Sequence, residues 1–436
     1  MNAPLIDDID TAVAKASERF LAARPKTRAL HDEAKAVMPG GNTRTVLFTA
    51  PIPIRIAKAE GAVLTDVDGH SYVDLLGENS AGLYGHSHPR IAKAVGDALT
   101  MGINLGAHHG LEVQFAKTVT RRFGLDLVRF TNSGTEANMM ALGAARSFTK
   151  RSKILGIKGG YHGGTLYFTP AGMPVNAPFD IVLAPFNDIA GTRKLIAEHA
   201  EGLAAILIEP MLGGAGCLPA DLDYLEMLCA ETEARGIILI FDEVMTSRLA
   251  PHGLAAKLGI TPDLKTLGKY IGGGMSFGAF GGRRDIMEQF DPTRPQFLPH
   301  AGTFNNNTLT MTAGFAAMSE IFTPQACLDL NRRGDALRDR LNDLFMRYQV
   351  KLKATGIGSL INLHPLSGEV RTPDDVGKAD PRLRQLLYLD LLEEGYYVAG
   401  RGYMALSLVV SDEHCDGFCA AIERIVTARR HLFQPK

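Results

Sequence analysis

The chain carries no excess of either charge: Lys plus Arg number 46 and Asp plus Glu 47, a formal net charge of −1. That balance excludes a general electrostatic attraction to nucleic acid or to an anionic membrane, and leaves only local basic pockets. Cysteine is scarce, five in 436 residues. An odd, sparse set (Cys217, Cys229, Cys327, Cys415 and Cys419) excludes a disulfide framework and predicts free thiols in a reducing compartment. Cys415 and Cys419 stand one helical turn apart with no second Cys/His pair nearby, so they read as half-buried thiols. His86-x-His88 and His108-His109 lack a ligand set at zinc spacing, and no metal is expected. No apolar run approaches the ~18 residues of a membrane span. The N-terminus carries Asp7, Asp8 and Asp10 in place of the apolar stretch of a signal peptide. The expectation is a soluble, cytoplasmic protein.

What the chain has in excess is glycine: 46 residues, roughly 11% against a typical ~7%. Without a G-X-Y period this is not collagen, so the excess points to tight turns and to loops that hug a ligand. At roughly 150 residues per domain the length suggests about three units. The first ~38 residues read as helix, stopped by Pro39-Gly40-Gly41. Short strands follow at 52–56 and 62–66, with Asp68-Gly69 as a hairpin turn. From about residue 76, apolar strands (127–131, 153–157, 181–184, 204–208, 236–241, 277–280) alternate with helices (135–149, 188–199, 222–235). Strands apolar on both faces, separated by helices, predict a mostly parallel sheet covered on both sides. After about residue 325 the pattern is helix, two or three strands, and helices again, ending in an amphipathic helix from Asp412. The expected division is an N-terminal segment (1–75) packed with a smaller C-terminal α+β domain (326–436), and a large α/β domain (76–325) between them.

Ligands of open α/β sheets bind beyond the carboxyl ends of the strands, so the polar residues there are the candidates. Thr131-Asn132-Ser133-Gly134-Thr135-Glu136 runs from a strand into a helix, with small and hydroxylated residues beside free helix N–H groups: a phosphate cup. The same Ser133-x-x-Glu136 spacing is also an ordinary capping box. Asp242 and Glu243 end an apolar strand, and 27 residues on, Lys269 lies between a strand signal and Gly272-Gly273-Gly274. A lysine held on such a loop becomes a nucleophile when desolvation lowers its pKa from ~10.4. Tyr161, framed by Gly159, Gly160, Gly163 and Gly164, is placed to stack a flat ring; Glu209 is another acid at a strand end. The loop from His300 to Thr308 offers a second phosphate donor. Together these parts fit pyridoxal phosphate, whose usual protein setting is a lysine Schiff base with an acid on the pyridinium nitrogen.

On these stretches, above all Phe241-Asp242-Glu243-Val244-Met245 followed by the lysine loop, the chain resembles the class III aminotransferases. The resemblance runs from about Pro39 to Val426. It implies the fold type I architecture of pyridoxal-phosphate transferases, with a mostly parallel seven-stranded sheet and a smaller α+β domain. It assigns Lys269 the Schiff base and the proton shuttle, Asp242 the ring nitrogen, and Tyr161 the ring face. Ser133, Gly134 and Thr135 take the phosphate, Met245 joins the cofactor's surroundings, and Glu209 orients the groups behind the site. Thr303 matches a phosphate ligand that reaches in from a second subunit, which implies a homodimer with shared sites.

More narrowly, Asn42-Thr43-Arg44, the stretch from Met245 to Gly253, the stretch from Gly272 to Gly282 and Gly400-Arg401-Gly402 are similar to bacterial β-amino-acid aminotransferases of the β-phenylalanine type. That resemblance implies that Arg44 holds the carboxylate of the β-amino acid and Arg401 the second carboxylate of 2-oxoglutarate. A guanidinium suits both, because its planar fork binds carboxylate bidentately. The alternative within the family is a glutamate semialdehyde aminomutase-like isomerase. Such mutases usually carry Gly-Phe-Arg where this chain has Ser247-Arg248-Leu249. A non-catalytic pyridoxal-fold binding protein would be marked by loss of the lysine or the aspartate, and both are present.

Overall fold

The computed structural model describes residues 8–169 and 172–434. Seven strands form its main sheet: β1 (Leu127–Thr131), β2 (Lys153–Ile157), β3 (Ile181–Ala184), β4 (Leu203–Ile208), β5 (Ile238–Asp242), β6 (Leu264–Gly268) and β7 (Gly278–Gly282). Their order is β1-β7-β6-β5-β4-β2-β3, and only β7 runs antiparallel to its neighbours. Six of the seven fall where the apolar runs predict them, within two residues. The seventh, β6, is not among those runs because Lys265 and Thr266 interrupt its hydrophobic pattern. Both are buried and partnered: Lys265 Nζ donates to the Phe123 carbonyl (2.9 Å), and Thr266 Oγ1 donates to Asn138 Oδ1 (2.7 Å).

Every residue of β4 to β7 is buried, as a sheet with both faces covered requires. Side chains alternate across it with period two. Leu207, Ile238 and Ile240 face α1 (Gly134–Thr149), while Ile206, Leu239 and Phe241 pack with α3 (Leu222–Arg235), which follows α2 (Ile189–His199). The α1 face that meets the sheet is mostly alanine (Ala137, Ala141, Ala144, Ala145), a good helix former whose short side chain brings the helix close to the strand ends. Each large aliphatic side chain buried here contributes roughly 1.5–3 kcal/mol.

The N-terminal helical stretch is two helices, Ile9–Ala23 and Pro25–Lys35. Pro25 has no N–H to continue the first helix and suits the first turn of the second. The strand expected at 52–56 starts only at Ile56, because Pro51 and Pro53 remove donors from the ladder. The Asp68-Gly69 hairpin forms as expected between Val63–Asp66 and Ser71–Asp74. Tyr396–Tyr397 adds a parallel strand to that small sheet, and helix Ile9–Ala23 lies along helix Pro381–Glu393, with Arg19 on Glu393 and Arg382 on Asp10. Toward the C-terminus, β8 (Lys353–Ile357), β9 (Leu360–His364) and β10 (Tyr403–Ala405) form an antiparallel sheet, accompanied by helices Pro324–Tyr348 and Asp412–Ala428. All five cysteines are free thiols, and Cys415 and Cys419 are buried. Among the described residues no helix is long and apolar enough to cross a membrane.

Candidate active site

The carboxyl ends of the parallel strands converge on one carboxylate. Asp242, the last residue of β5, is 4% exposed. Its Oδ2 accepts from His162 Nδ1 (2.8 Å) and Asn138 Nδ2 (2.8 Å), and its Oδ1 from the Val244 backbone N–H (3.0 Å). Asn138, on α1, also donates to the His162 carbonyl, and its own oxygen is filled by Thr266 of β6. Groups from strands β5 and β6, the loop after β2 and helix α1 therefore fix one carboxylate in place. Such a set fixes the direction of the carboxylate while leaving it lone pairs for a ring nitrogen. His162 is 1% exposed and its Nε2 has no partner among the described residues.

Lys269 directly follows β6 with φ +54°, a left-handed conformation in a residue that has a Cβ. Holding it there costs on the order of 1–3 kcal/mol and marks a position fixed by its surroundings. Its amine makes no hydrogen bond or ion pair among the described residues. Lys269 keeps some solvent exposure, yet the protein around it desolvates the ammonium and pushes its pKa down to about 8, against the pull of Asp242 and Glu209. The nearby Arg401 and Arg248 lower it further.

Tyr161 stands on the loop after β2, its ring edge-packed on Tyr167 (centroids 5.3 Å apart) and 43% exposed. Glu209 lies beneath that loop, buried, accepting from the N–H groups of Tyr161 (2.9 Å) and Gly213 (3.0 Å). Burial raises its carboxyl to about 7; His162 opposes the shift and Asp242 adds to it. Met245 sits in an apolar cluster with Met211, Leu249 and Tyr403, its sulfur against Gly213.

Ser133 caps α1, accepting from the Glu136 N–H (3.2 Å), while Glu136 reaches back to Asn132. The capping role is thus present, and it orients the same helix start that would receive a phosphate. Thr135 Oγ1 accepts from the Gly164 N–H, and Gly163 is needed beside it: at φ +117° an added Cβ would lie 2.1 Å from Thr135 Oγ1. The helix start and the Tyr161 loop are therefore in direct contact.

Arg44 and Arg401 form a rim above this floor. Both lie close enough to Tyr161 to oppose the rise that desolvation imposes on its phenol. Arg44 is paired with Glu78, and Arg401 Nη2 lies 3.5 Å from Asn79 Oδ1 with its guanidinium 5.0 Å from the Tyr403 ring centroid. Glu78 and Asn79 belong to a turn, Gly77–Ser80, in which all four residues have positive φ (+53°, +48°, +53° and +76°). Gly77 is where this turn passes β10, an added Cβ falling 2.5 Å from the Ala405 carbonyl. Three consecutive left-handed residues other than glycine are strained, and such strain gathers at functional sites.

The fold thus brings Ser133, Gly134, Thr135, Tyr161, Glu209, Asp242, Met245 and Lys269 together, with Arg44 and Arg401 close to Tyr161. Thr303 is not part of that group: it is exposed on a loop tied to its own chain through Asn305 and Asn132 (3.0 Å). The sequence reading gave no role to His162, Asn138 and Thr266, the groups that hold Asp242. A polar Asn138 on the buried alanine face of α1 is the one signal that would have found them.

Comparisons with known proteins show the family and the fold. The family model "Aminotransferase class-III" matches residues 48–426. The chain is 51% identical over 415 residues to a beta-phenylalanine transaminase of Variovorax paradoxus, covering 95% of each chain. It superimposes on the crystal structure of a beta-phenylalanine aminotransferase from Variovorax paradoxus with TM-score 0.96, 50% identity and coverage of 98% and 99%. At 35% identity it is similar to a glutamate-1-semialdehyde 2,1-aminomutase of Methanothermobacter thermautotrophicus, over 93% of this chain and all of that one.

Proposed function

Because the chain belongs to the class-III aminotransferases, enzymes that work with pyridoxal phosphate, we propose that it transfers the amino group of a β-amino acid such as β-phenylalanine to 2-oxoglutarate. The two half-reactions use one pocket in turn, a ping-pong scheme. The single observation that carries this reading is the rim: two separate guanidiniums, Arg44 and Arg401, held by adjacent residues over the same floor. A pocket that must accept an aromatic β-amino acid and then a dicarboxylate needs two carboxylate anchors.

The donor set suits the cofactor. Asp242 offers an oriented carboxylate to the ring nitrogen, Tyr161 a flat face, and the start of α1 free N–H groups for the phosphate. When bound, pyridoxal phosphate supplies an electron sink for charge that develops at the substrate carbon. Asp242 would face the ring nitrogen, and His162 and Asn138 keep Asp242 aimed. Lys269 would hold the cofactor covalently, and its free base would move the proton at the substrate carbon, a task for which a pKa of about 8 suits it better than ~10.4. Arg44 orients the donor carboxylate, and Arg401 the far carboxylate of the acceptor. We further read the protein as a cytoplasmic homodimer in which the exposed Thr303 serves the phosphate site of a second copy. The same reading divides the chain at about residues 75 and 325.

The test is a donor screen of the purified holoenzyme against 2-oxoglutarate, with β-phenylalanine, α-amino acids and simple amines. Activity with β-phenylalanine well above the others is expected. Activity confined to α-amino acids would overturn the substrate assignment, and rearrangement of a substrate without any acceptor would point to the isomerase instead.

A further inference from the structure

Arg248 stands in the stretch Ser247-Arg248-Leu249, outside the groups proposed to hold cofactor or substrate, though close enough to Lys269 to help lower its amine's pKa. It follows Asp242 by six residues, in the turn Thr246–Leu249, and is among the largest fully buried side chains of the molecule. Among the described residues no carboxylate forms an ion pair with it. Its guanidinium donates to neutral acceptors: Nε to Ser359 Oγ (3.1 Å), Nη1 to the Ser80 carbonyl (3.4 Å) and Nη2 to the Leu406 carbonyl. Of the titratable groups around it, Tyr403, Tyr270, Cys327 and Tyr84 are neutral at physiological pH, since burial raises all four, and the nearby Lys269 amine is no counter-ion. A buried cation without a counter-ion is costly, and apolar residues commonly replace such groups without loss of stability. A guanidinium at this place therefore calls for a reason other than packing.

Its partners supply one. Ser80 is the last residue of the left-handed turn, with φ +76°. Leu406 follows β10, on the segment that continues from Arg401. Arg248 thus staples the turn that carries Glu78 and Asn79 to the strand that leads away from Arg401. From behind, its own carbonyl is held by Asn331 Nδ2 (2.8 Å), and Asn331 Oδ1 accepts from the Ser359 N–H (2.9 Å).

We propose that Arg248 is a positioning residue that holds the Gly77–Ser80 turn in its left-handed form and so sets where Arg44 and Arg401 present their guanidiniums. It touches neither substrate nor cofactor. The inference rests on the reading of Arg44 and Arg401 as carboxylate anchors. Displacing an anchor by about 1 Å is enough to cost up to ~10²-fold in a positioned reaction.

The experiment compares holoenzymes carrying Arg248→Met, Arg248→Lys and Arg44→Ala. Probes are 3-phenylpropionate, a donor-like carboxylate without the amine, and glutarate, an acceptor-like dicarboxylate without the keto group. Expected for Arg248→Met is a rise of about tenfold or more in the inhibition constants of both probes. The visible cofactor band and cofactor affinity should stay unchanged. Arg248→Lys should recover part of the loss. Equal loss of cofactor affinity, or unchanged inhibition constants, would overturn the proposal, as would failure of both Arg248 variants to fold. The Arg44→Ala arm separates the two readings. If it leaves 3-phenylpropionate binding intact, the anchor assignment itself fails; if it weakens that binding while Arg248→Met does not, only the role of Arg248 falls.

Discussion

The floor and the rim of the pocket are built by different means. On the floor, Asp242 and Thr266 stand on strands, Asn138 on α1 and His162 on the loop after β2; all four are buried and form one connected hydrogen-bonded set. On the rim, Arg44 and Arg401 stand on loops, and their partners Glu78 and Asn79 sit in a strained turn. The floor is held by a connected network of buried side chains, and the rim by single side-chain contacts between loops. That contrast suits an enzyme whose cofactor chemistry stays constant while two unlike substrates alternate. Each of the following changes tests whether floor and rim fail in separate ways.

Lys269→Ala should have the largest effect, a loss of turnover of ~10³-fold or more, because nucleophile and proton carrier vanish together. The purified variant should also lack the covalent cofactor band. A retained band would move the attachment site elsewhere. Asp242→Asn comes next. It strips a charge from a buried, hydrogen-bonded set, a change worth about 3–5 kcal/mol, so kcat should fall by at least ~10²-fold for every donor alike. A loss confined to one donor would contradict the division between floor and rim.

Arg44→Ala should instead discriminate. Removing a charge-assisted anchor costs ~2 kcal/mol or more, so KM for the β-amino acid should rise roughly 30-fold, with cofactor affinity and KM for 2-oxoglutarate little changed. Loss of cofactor would place Arg44 on the floor. The pH dependence of cofactor capture by apoenzyme tests Lys269 without mutation. Burial lowers its pKa to about 8, so the reactive free amine accumulates as pH rises toward 8 and levels off above it. A lysine at ~10.4 would keep gaining up to pH 10. The smallest effect is expected for Ser133→Ala, which removes a helix cap worth about 1 kcal/mol. A modest fall in Tm and a several-fold loss of cofactor affinity should be measurable by thermal denaturation and titration.

Much of the floor was legible in the sequence because its residues sit where strong local patterns end. Apolar runs of five and six residues announce β4 and β5, and the first polar residues after them are Glu209 and Asp242; Lys269 directly follows β6. The glycine excess was a usable guide there: Gly163 is required by the contact between the Tyr161 loop and α1. β6 escaped the hydrophobic pattern because Lys265 and Thr266 are buried through hydrogen bonds, which apolar counting does not register. His162 and Asn138 escaped for the same reason. Their work is done across 80 and 104 residues of sequence, through Asp242. Nothing local announces the left-handed run from Gly77 to Ser80, since Glu, Asn and Ser are ordinary loop residues.

The sequence by itself determined the alternation of strands and helices, the positions of the lysine and the aspartate, and the free state of the thiols. Those properties follow from side-chain periodicity, turn chemistry and composition, which act over a few residues. Only the tertiary structure decided which groups hold Asp242, how far the Lys269 amine is desolvated, and that Arg44 and Arg401 share a strained turn for their partners. These depend on burial and on contacts between distant segments, and they exist only once the sheet has brought its carboxyl ends to one edge.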